Sequence, residues 1–383
     1  MTSIPSIERV LLGPGPSPVP ARVMRAMTTP VLGHLDPALL EVMDHVRAAL
    51  ARVFRAPEGS LALAVSGTGT SGMEAAVANL VAPGTRVVVV VNGYFGGRIA
   101  EMAGRYGAEV HRVEGEWGRA IDPEAVRRAA AAHGADVVAV VHAETSTGVR
   151  NPVSEIASAA RERDALVLVD AVTSLGGMPV DVGAWSADVC YSGSQKCLGA
   201  PSGLAPIVFT PRALARRAPC RSFYLDIGLL QDYWVERKYH HTIAATLVYA
   251  LREALAIVEE EGLEARWARH QRHHQVLTAG LEAMDLPLHP PPGERLWTLH
   301  TVRVPDGVDE AAVRRELREG FGIEIGAGMG PLAGKVWRVG LMGAGSVPSS
   351  ILLLLGALER VLRCAGHDAR PGAGTGAALQ ALG

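Results

Sequence analysis

The stretch LVLVDAVTSLGGMPVDVGAWSADVCYSGSQKCLG, residues 166–199, decides the fold. It opens on the apolar run Leu166 to Val169, closed by Asp170, and a second strand-like run, ADVCYS (187–192), follows a turn-rich interval. A short, β-branched run without polar alternation reads as a strand buried on both faces, the usual state in a parallel sheet covered by helices. Working outward, runs of the same kind recur as LALAV (61–65), RVVVVV (86–91), AEVHRV (108–113) and DVVAVV (136–141), separated by helix-length stretches. Connections of that length join parallel strands. The sequence therefore predicts an α/β fold: a large domain with a mostly parallel sheet of the seven-stranded type and helices on both faces. Ligands of such sheets bind beyond the carboxyl ends of the strands.

On the N-terminal side, an extended arm ends in Leu11, Leu12 and the turn Gly13-Pro14-Gly15-Pro16, and apolar residues then recur at helical spacing from Leu39 to Leu50. On the C-terminal side the pattern changes after Tyr249. One long helix is predicted over 250–284, then a strand near 297–304, a helix over 309–319 and a strand over 335–341. This predicts three parts: an arm over 1–20, a large domain over 21–260 and a smaller α+β domain over 261–383. The Gly-, Ala- and Pro-rich tail after Cys364 is expected to be loosely ordered.

Composition narrows the function. Lys plus Arg number 37 against 39 Asp plus Glu, a formal charge of −2, which offers no electrostatic footprint for nucleic acid or an anionic membrane surface. The opening MTSIPSIERV lacks the basic and apolar regions of an export signal. The longest apolar runs, such as Val87 to Val91 and Ile351 to Leu355, fall far short of the ~20 residues of a spanning helix. Four cysteines without CxxC spacing argue for reduced thiols and a cytoplasmic location, with neither disulfides nor zinc.

Three motifs carry chemistry. Ser66-Gly67-Thr68-Gly69-Thr70-Ser71-Gly72 follows a strand and opens a helix, so its N–H groups suit a phosphate. It also matches GxGxxG, but a dinucleotide site needs an acid about 20 residues on, where Asn92 ends the next strand. Asp170 reads either as a helix N-cap or as the carboxylate partner of a protonated pyridine nitrogen. Lys196, set among glycines and small hydroxyls, reads either as a solvated charge or as a Schiff-base amine. Together Asp170 and Lys196 have the layout of a pyridoxal phosphate site. Arg338, inside the apolar strand KVWRVGL, needs an anion, and bidentate capture of a substrate carboxylate is the natural use. The HxxHH of His270, His273 and His274 lacks a carboxylate or thiolate partner and reads as a solvated helix face; no metal site is expected.

Over nearly its whole length the chain resembles the class V, fold-type I aminotransferases of the alanine:glyoxylate and serine:pyruvate group. The resemblance rests on LLGPGPSPVP, SGTGTSGMEAA, NGYFGGR, HAETSTG, LVDAVTSLGG, SGSQKCLGAPSG, KYHHT and KVWRVGLMG. It implies a pyridoxal phosphate enzyme in which Lys196 bonds the cofactor's aldehyde and Asp170 faces its ring nitrogen. Thr68, Gly69, Thr70 and Gln195 would hold the phosphate, Phe95 would stack on the cofactor, Val172 would contact it, and Thr145 would meet the phenolic oxygen. Arg338 would bind the substrate carboxylate, with Gly15 and His34 nearby. Tyr239 and Thr242 would reach a neighbour's phosphate site, implying a homodimer with shared active sites. Substrates would be small amino acids and 2-oxo acids. The bacterial ureidoglycine:glyoxylate enzymes are also similar, but they typically carry amides where this chain has His34 and Tyr239. A ureido group without its hydrogen-bond partners is rejected strongly, so alanine or serine is the expected donor.

Overall fold

Valine-rich segments place the sheet. In the computed structural model, which describes residues 7–383, seven strands form the large sheet: β1 Leu61–Ser66, β2 Arg86–Val91, β3 Glu109–Glu114, β4 Val137–Val141, β5 Leu166–Asp170, β6 Val189–Tyr191 and β7 Leu204–Phe209. Their order is β1-β7-β6-β5-β4-β2-β3. All neighbours are parallel except β7, which runs antiparallel to both β1 and β6. Every residue of β4, β5, β6 and β7 is buried, as unbroken apolar runs require. The predicted fold is the one observed. The edge strand β3 carries the polar residues, with only Val113 fully buried.

Helices connect the strands. The ones that shape the cavity described below are α1 (Gly69–Leu80), after β1, and α2 (Tyr94–Arg105), after β2. The main apolar cluster extends from Val23 to Val258, and a second gathers Leu12 with residues from Val276 to Ala378 around a three-stranded sheet. A small third cluster, which includes Ala143, Met178, Cys197, Leu299 and Met342, bridges them.

Three expectations need correction. The helix predicted over 250–284 is two, α3 (Ala245–Glu261) and α4 (Leu263–Glu282), because Gly262 lies between them at φ +79°. The tail is not loose: Ala373–Leu382 forms a helix, α5, packed on α4. Small residues permit that approach, since a Cβ on Gly280 would lie 2.9 Å from the Gly374 carbonyl oxygen and overlap Leu355. The histidines of α4 are not solvated. His270 accepts from the Gly343 N–H, His273 pairs with Ser346, and His274 meets His300 at 2.8 Å. Polar neighbours concealed this, because the partners come from distant parts of the chain. The extended arm packs on the small domain: Val10–Leu11 pairs in parallel with Ile323–Glu324, and Leu12 is fully buried. The first six residues of the expected arm lie outside the described residues.

Among the described residues, no helix is long and apolar enough to cross a membrane and no cluster of side chains could hold a metal ion. Close packing of α4 against α5 makes a specific prediction. Gly280→Leu should cost about 1–3 kcal/mol, read as a lower urea midpoint. Gly376→Ala, where a Cβ meets nothing, should hold or raise the midpoint; equal midpoints for the two variants would contradict the packing.

Candidate active site

At the carboxyl edge of the parallel strands the loops converge on one cavity of about 180 Å³. Thr68, Gly69 and Thr70 enter it from the β1–α1 turn, Phe95 from the first turn of α2, and Thr145 from the loop after β4. Asp170 and Val172 come from the end of β5, and Gln195 and Lys196 from the loop between β6 and β7. The structure thus brings nine of the sequence-selected residues to one wall.

Asp170 dominates the electrostatics. Its Oδ1 accepts from the Val172 N–H at 2.8 Å and its Oδ2 from the Tyr191 hydroxyl at 2.7 Å, so it does not cap a helix. Burial nonetheless pushes its carboxyl up to about 6, against hydrogen bonds from Val172 and Tyr191 that pull it down. A buried carboxylate with two neutral donors still calls for a cation. On the same wall, burial pulls the Lys196 amine down to about 8. Its Nζ donates to the Pro14 carbonyl. Gly15, at φ +113°, is required there because a Cβ would overlap that amine.

The groups present fit pyridoxal phosphate. The N-cap Thr68 makes no side-chain cap, so the first N–H groups of α1 remain available to an anion. Gln195 Oε1 is buried with no hydrogen-bond partner. A Cβ at Gly69 would press on Val172 at 2.9 Å, so glycine lets the first turn of α1 approach the end of β5 closely. Phe95 supplies a second apolar surface, and Asp170 and Lys196 supply the acid and the amine. Arg338 lies beside this wall. Its Nε donates to Ala327 O at 2.6 Å and its Nη1 to Thr145 O at 3.4 Å. Among the described residues no carboxylate pairs with it.

Five selected residues fall outside the cavity lining: Gly15 and Arg338 border it as described, His34 is half-buried, and Tyr239 and Thr242 are exposed. The rings of His34 and Tyr239 lie 4.8 Å apart. Arg98 and Glu144 are among the residues not selected from sequence. Arg98 lies over Phe95 and donates to Thr70 Oγ1 at 3.1 Å. Its signal was the i, i+3 spacing from Phe95 on a helix. Glu144, next to Thr145, is fully buried.

Known proteins bear on this geometry. The family model for class V aminotransferases matches residues 9–340. The (S)-ureidoglycine–glyoxylate transaminase of Bacillus subtilis is 41% identical, with 97% of this chain and 94% of that one aligned. The solved ureidoglycine-glyoxylate aminotransferase from Bacillus subtilis superposes with a TM-score of 0.96 at 40% identity over all of both chains. An alanine–glyoxylate aminotransferase structure from Nostoc sp. gives 0.93 at 47% identity, covering 95% of this chain and 97% of that one.

The Asp170 environment predicts a pH response in the cofactor-free protein. A carboxyl raised from 3.8 to about 6 contributes stability that is present below pH 3.8 and lost as pH rises through 6. Asp170→Asn should therefore flatten the fall in the thermal midpoint across that window. An unchanged slope would show that the carboxyl is not held high.

Proposed function

Because the chain belongs to the class V aminotransferases, which work with pyridoxal phosphate, we propose that it moves an amino group from alanine or serine to glyoxylate or pyruvate. The observation that carries this reading is the buried acid Asp170 and the half-buried amine of Lys196 lining one cavity.

Pyridoxal phosphate, when bound, supplies an aldehyde for the amino group and a ring that takes up the electron pair left by the departing α-proton. Lys196 is assigned to hold that aldehyde and, once displaced by the donor, to take the α-proton on Nζ and release it again. An amine lowered to about 8 has an unprotonated fraction near neutrality, as a base requires. Asp170 is assigned to the protonated ring nitrogen, with the Tyr191 hydroxyl holding its Oδ2 in place. Thr68, Gly69, Thr70 and Gln195 are assigned to the phosphate, Phe95 and Val172 to the ring faces, and Thr145 to the phenolic oxygen. Arg338 is assigned to the donor carboxylate; its bonds to Ala327 and Thr145 use Nε and Nη1 and leave Nη2 for that oxygen. The second half-reaction runs the same groups in reverse on the 2-oxo acid.

Glyoxylate as acceptor is supported by the names of both the Bacillus and the Nostoc relatives. Those names differ in donor. The His34–Tyr239 ring contact favours alanine or serine, because two aromatic side chains replace the amides a ureido group would require. Ureidoglycine is the second reading, favoured by the full-length match to the Bacillus enzyme. In the purified, cofactor-loaded protein, alanine or serine should bleach the visible band of the lysine-bound cofactor and glyoxylate should restore it. A response to ureidoglycine alone would reverse the two readings. Lys196→Ala should abolish both the band and turnover, and full turnover in that variant would sink the site assignment.

We further read the protein as a cytoplasmic homodimer. Tyr239 and Thr242 are exposed in one chain, near the 72% exposed Phe223, where a second copy would cover them and receive them at its phosphate end. The free thiols Cys190, Cys197, Cys220 and Cys364 support a reducing compartment. Sedimentation should give twice the 40.3 kDa chain mass; a monomer with full activity would remove the shared-site reading.

A further inference from the structure

Glu144 is a carboxylate with no assigned part in the reaction, yet it is fully buried beside the cavity. Four donors converge on it. Its Oε1 accepts from the Ser146 hydroxyl at 2.5 Å and the Ser146 N–H at 3.2 Å, and its Oε2 from the Phe95 N–H at 3.1 Å and the Gly96 N–H at 3.2 Å. Ser146 Oγ in turn accepts from the Tyr94 N–H at 2.9 Å. Three successive N–H groups of the first turn of α2 thus end on one Glu144–Ser146 unit, which comes from a different loop.

Helix N-termini are normally capped by the side chain of the residue before the first turn. Here that residue is Gly93, which has none. It cannot have one, since a Cβ at 93 would overlap the Glu144 carboxyl and lie 2.6 Å from Ser146 Oγ. The cap is therefore supplied from outside the helix, and the negative charge sits at the positive end of the α2 dipole. Two cavity groups depend on the same carboxylate. Phe95 is held by its own backbone N–H. Thr145 is covalently next to Glu144, and its carbonyl receives Arg338. The charged groups that affect Glu144 are Asp170, which raises its carboxyl, and Arg338, whose guanidinium it favours in turn; burial carries the carboxyl to about 7.

We propose that Glu144 is a positioning residue for the active site: by clamping the first turn of α2 against the Thr145 loop it fixes the Phe95 ring at the cofactor. This rests on reading the cavity as the pyridoxal phosphate site. The alternative is a carboxylate that only stabilises the fold, which would leave cofactor affinity untouched in a variant that folds.

Four proteins separate these: wild type, Glu144→Gln, Phe95→Ala and the double variant. For each, the pyridoxal phosphate dissociation constant is measured by titrating the cofactor-free protein, with visible circular dichroism per unit of bound cofactor as a second readout. Glutamine keeps the shape of glutamate but turns one of its two acceptor atoms into a donor. With the titration run at pH 8.5, above the value of about 7 to which burial raises the carboxyl, losing a charged acceptor at buried donors should weaken binding about tenfold and reduce the dichroic signal. In the Phe95→Ala background the same change should weaken binding less than about twofold, because the group it positions is gone. Wild-type affinity in Glu144→Gln, or effects of the two changes that multiply, would overturn the proposal. If Glu144→Gln does not fold, Ser146→Ala loosens the same clamp and must show the same non-additivity with Phe95→Ala. Failure of the wild-type protein to bind pyridoxal phosphate would overturn the functional reading itself, and is distinct from a Glu144→Gln variant that binds normally.

Discussion

A carboxylate at the end of a strand with no exposed residue is the constraint on which the site depends. Asp170 closes β5, whose five residues are all buried, and it keeps its place with help from only two neutral donors, Val172 N–H and the Tyr191 hydroxyl. Neutral hydrogen bonds do not offset the desolvation of a charge. The fold can hold such a group only if something positive arrives at it or if it takes up a proton. That is why the acid lies where the parallel strands end and loops from β1, β2, β4 and β6 can bring a ligand against it.

The N-terminal segment makes the converging loops one object. Leu12 belongs to the second apolar cluster, and the Gly340 N–H donates to its carbonyl at 2.8 Å. Five residues on, Ser17 is bonded twice to the lysine loop, to Gln195 O at 2.9 Å through its N–H and to Lys196 O at 2.7 Å through its hydroxyl. Between these anchors lie Pro14, whose carbonyl receives the Lys196 amine, and Gly15, whose missing Cβ makes room for it. A shift of the small sheet relative to the large one would thus be felt at Lys196. Such a linkage suits an enzyme in which Arg338, proposed to bind the substrate carboxylate, belongs to the small sheet while the acid and amine belong to the large one.

What the sequence made legible follows from how local each signal is. β2, β4 and β5 are apolar, valine-rich runs that a doubly covered strand explains; Asp170 stands out because it closes such a run, and Lys196 because it is a charge set among glycines and small hydroxyls. β7 was harder to see: its Pro206 reads against a strand, and its antiparallel direction is set by partners far away in sequence. The break at Gly262 was overridden by the surrounding helical period, although its φ of +79° is one that glycine reaches without strain. His270 and His273 misled because their neighbours in sequence are charged while their partners, Gly343 and Ser346, are more than 70 residues away. Glu144 was visible as a letter in HAETSTG, but nothing local shows that its oxygens end on the N–H groups of residues 95 and 96.

Lysine usage supports the special standing of one amine. Of the 37 basic residues only three are lysines, Lys196, Lys238 and Lys335. The last two are exposed. Apart from those two, the chain uses arginine where a permanent charge suffices; it stays protonated at any accessible pH and forms the buried or bridging contacts of Arg212, Arg266 and Arg269. Arginine cannot serve where the cation must also become a neutral nucleophile and base, because its proton is held too tightly. Lysine can, provided burial brings its amine down toward neutrality. The half-buried lysine lies on the wall that also holds Asp170, with Gly15 cleared to admit it. That placement points to an amine that must lose its proton to act, which a structural ion pair would not require.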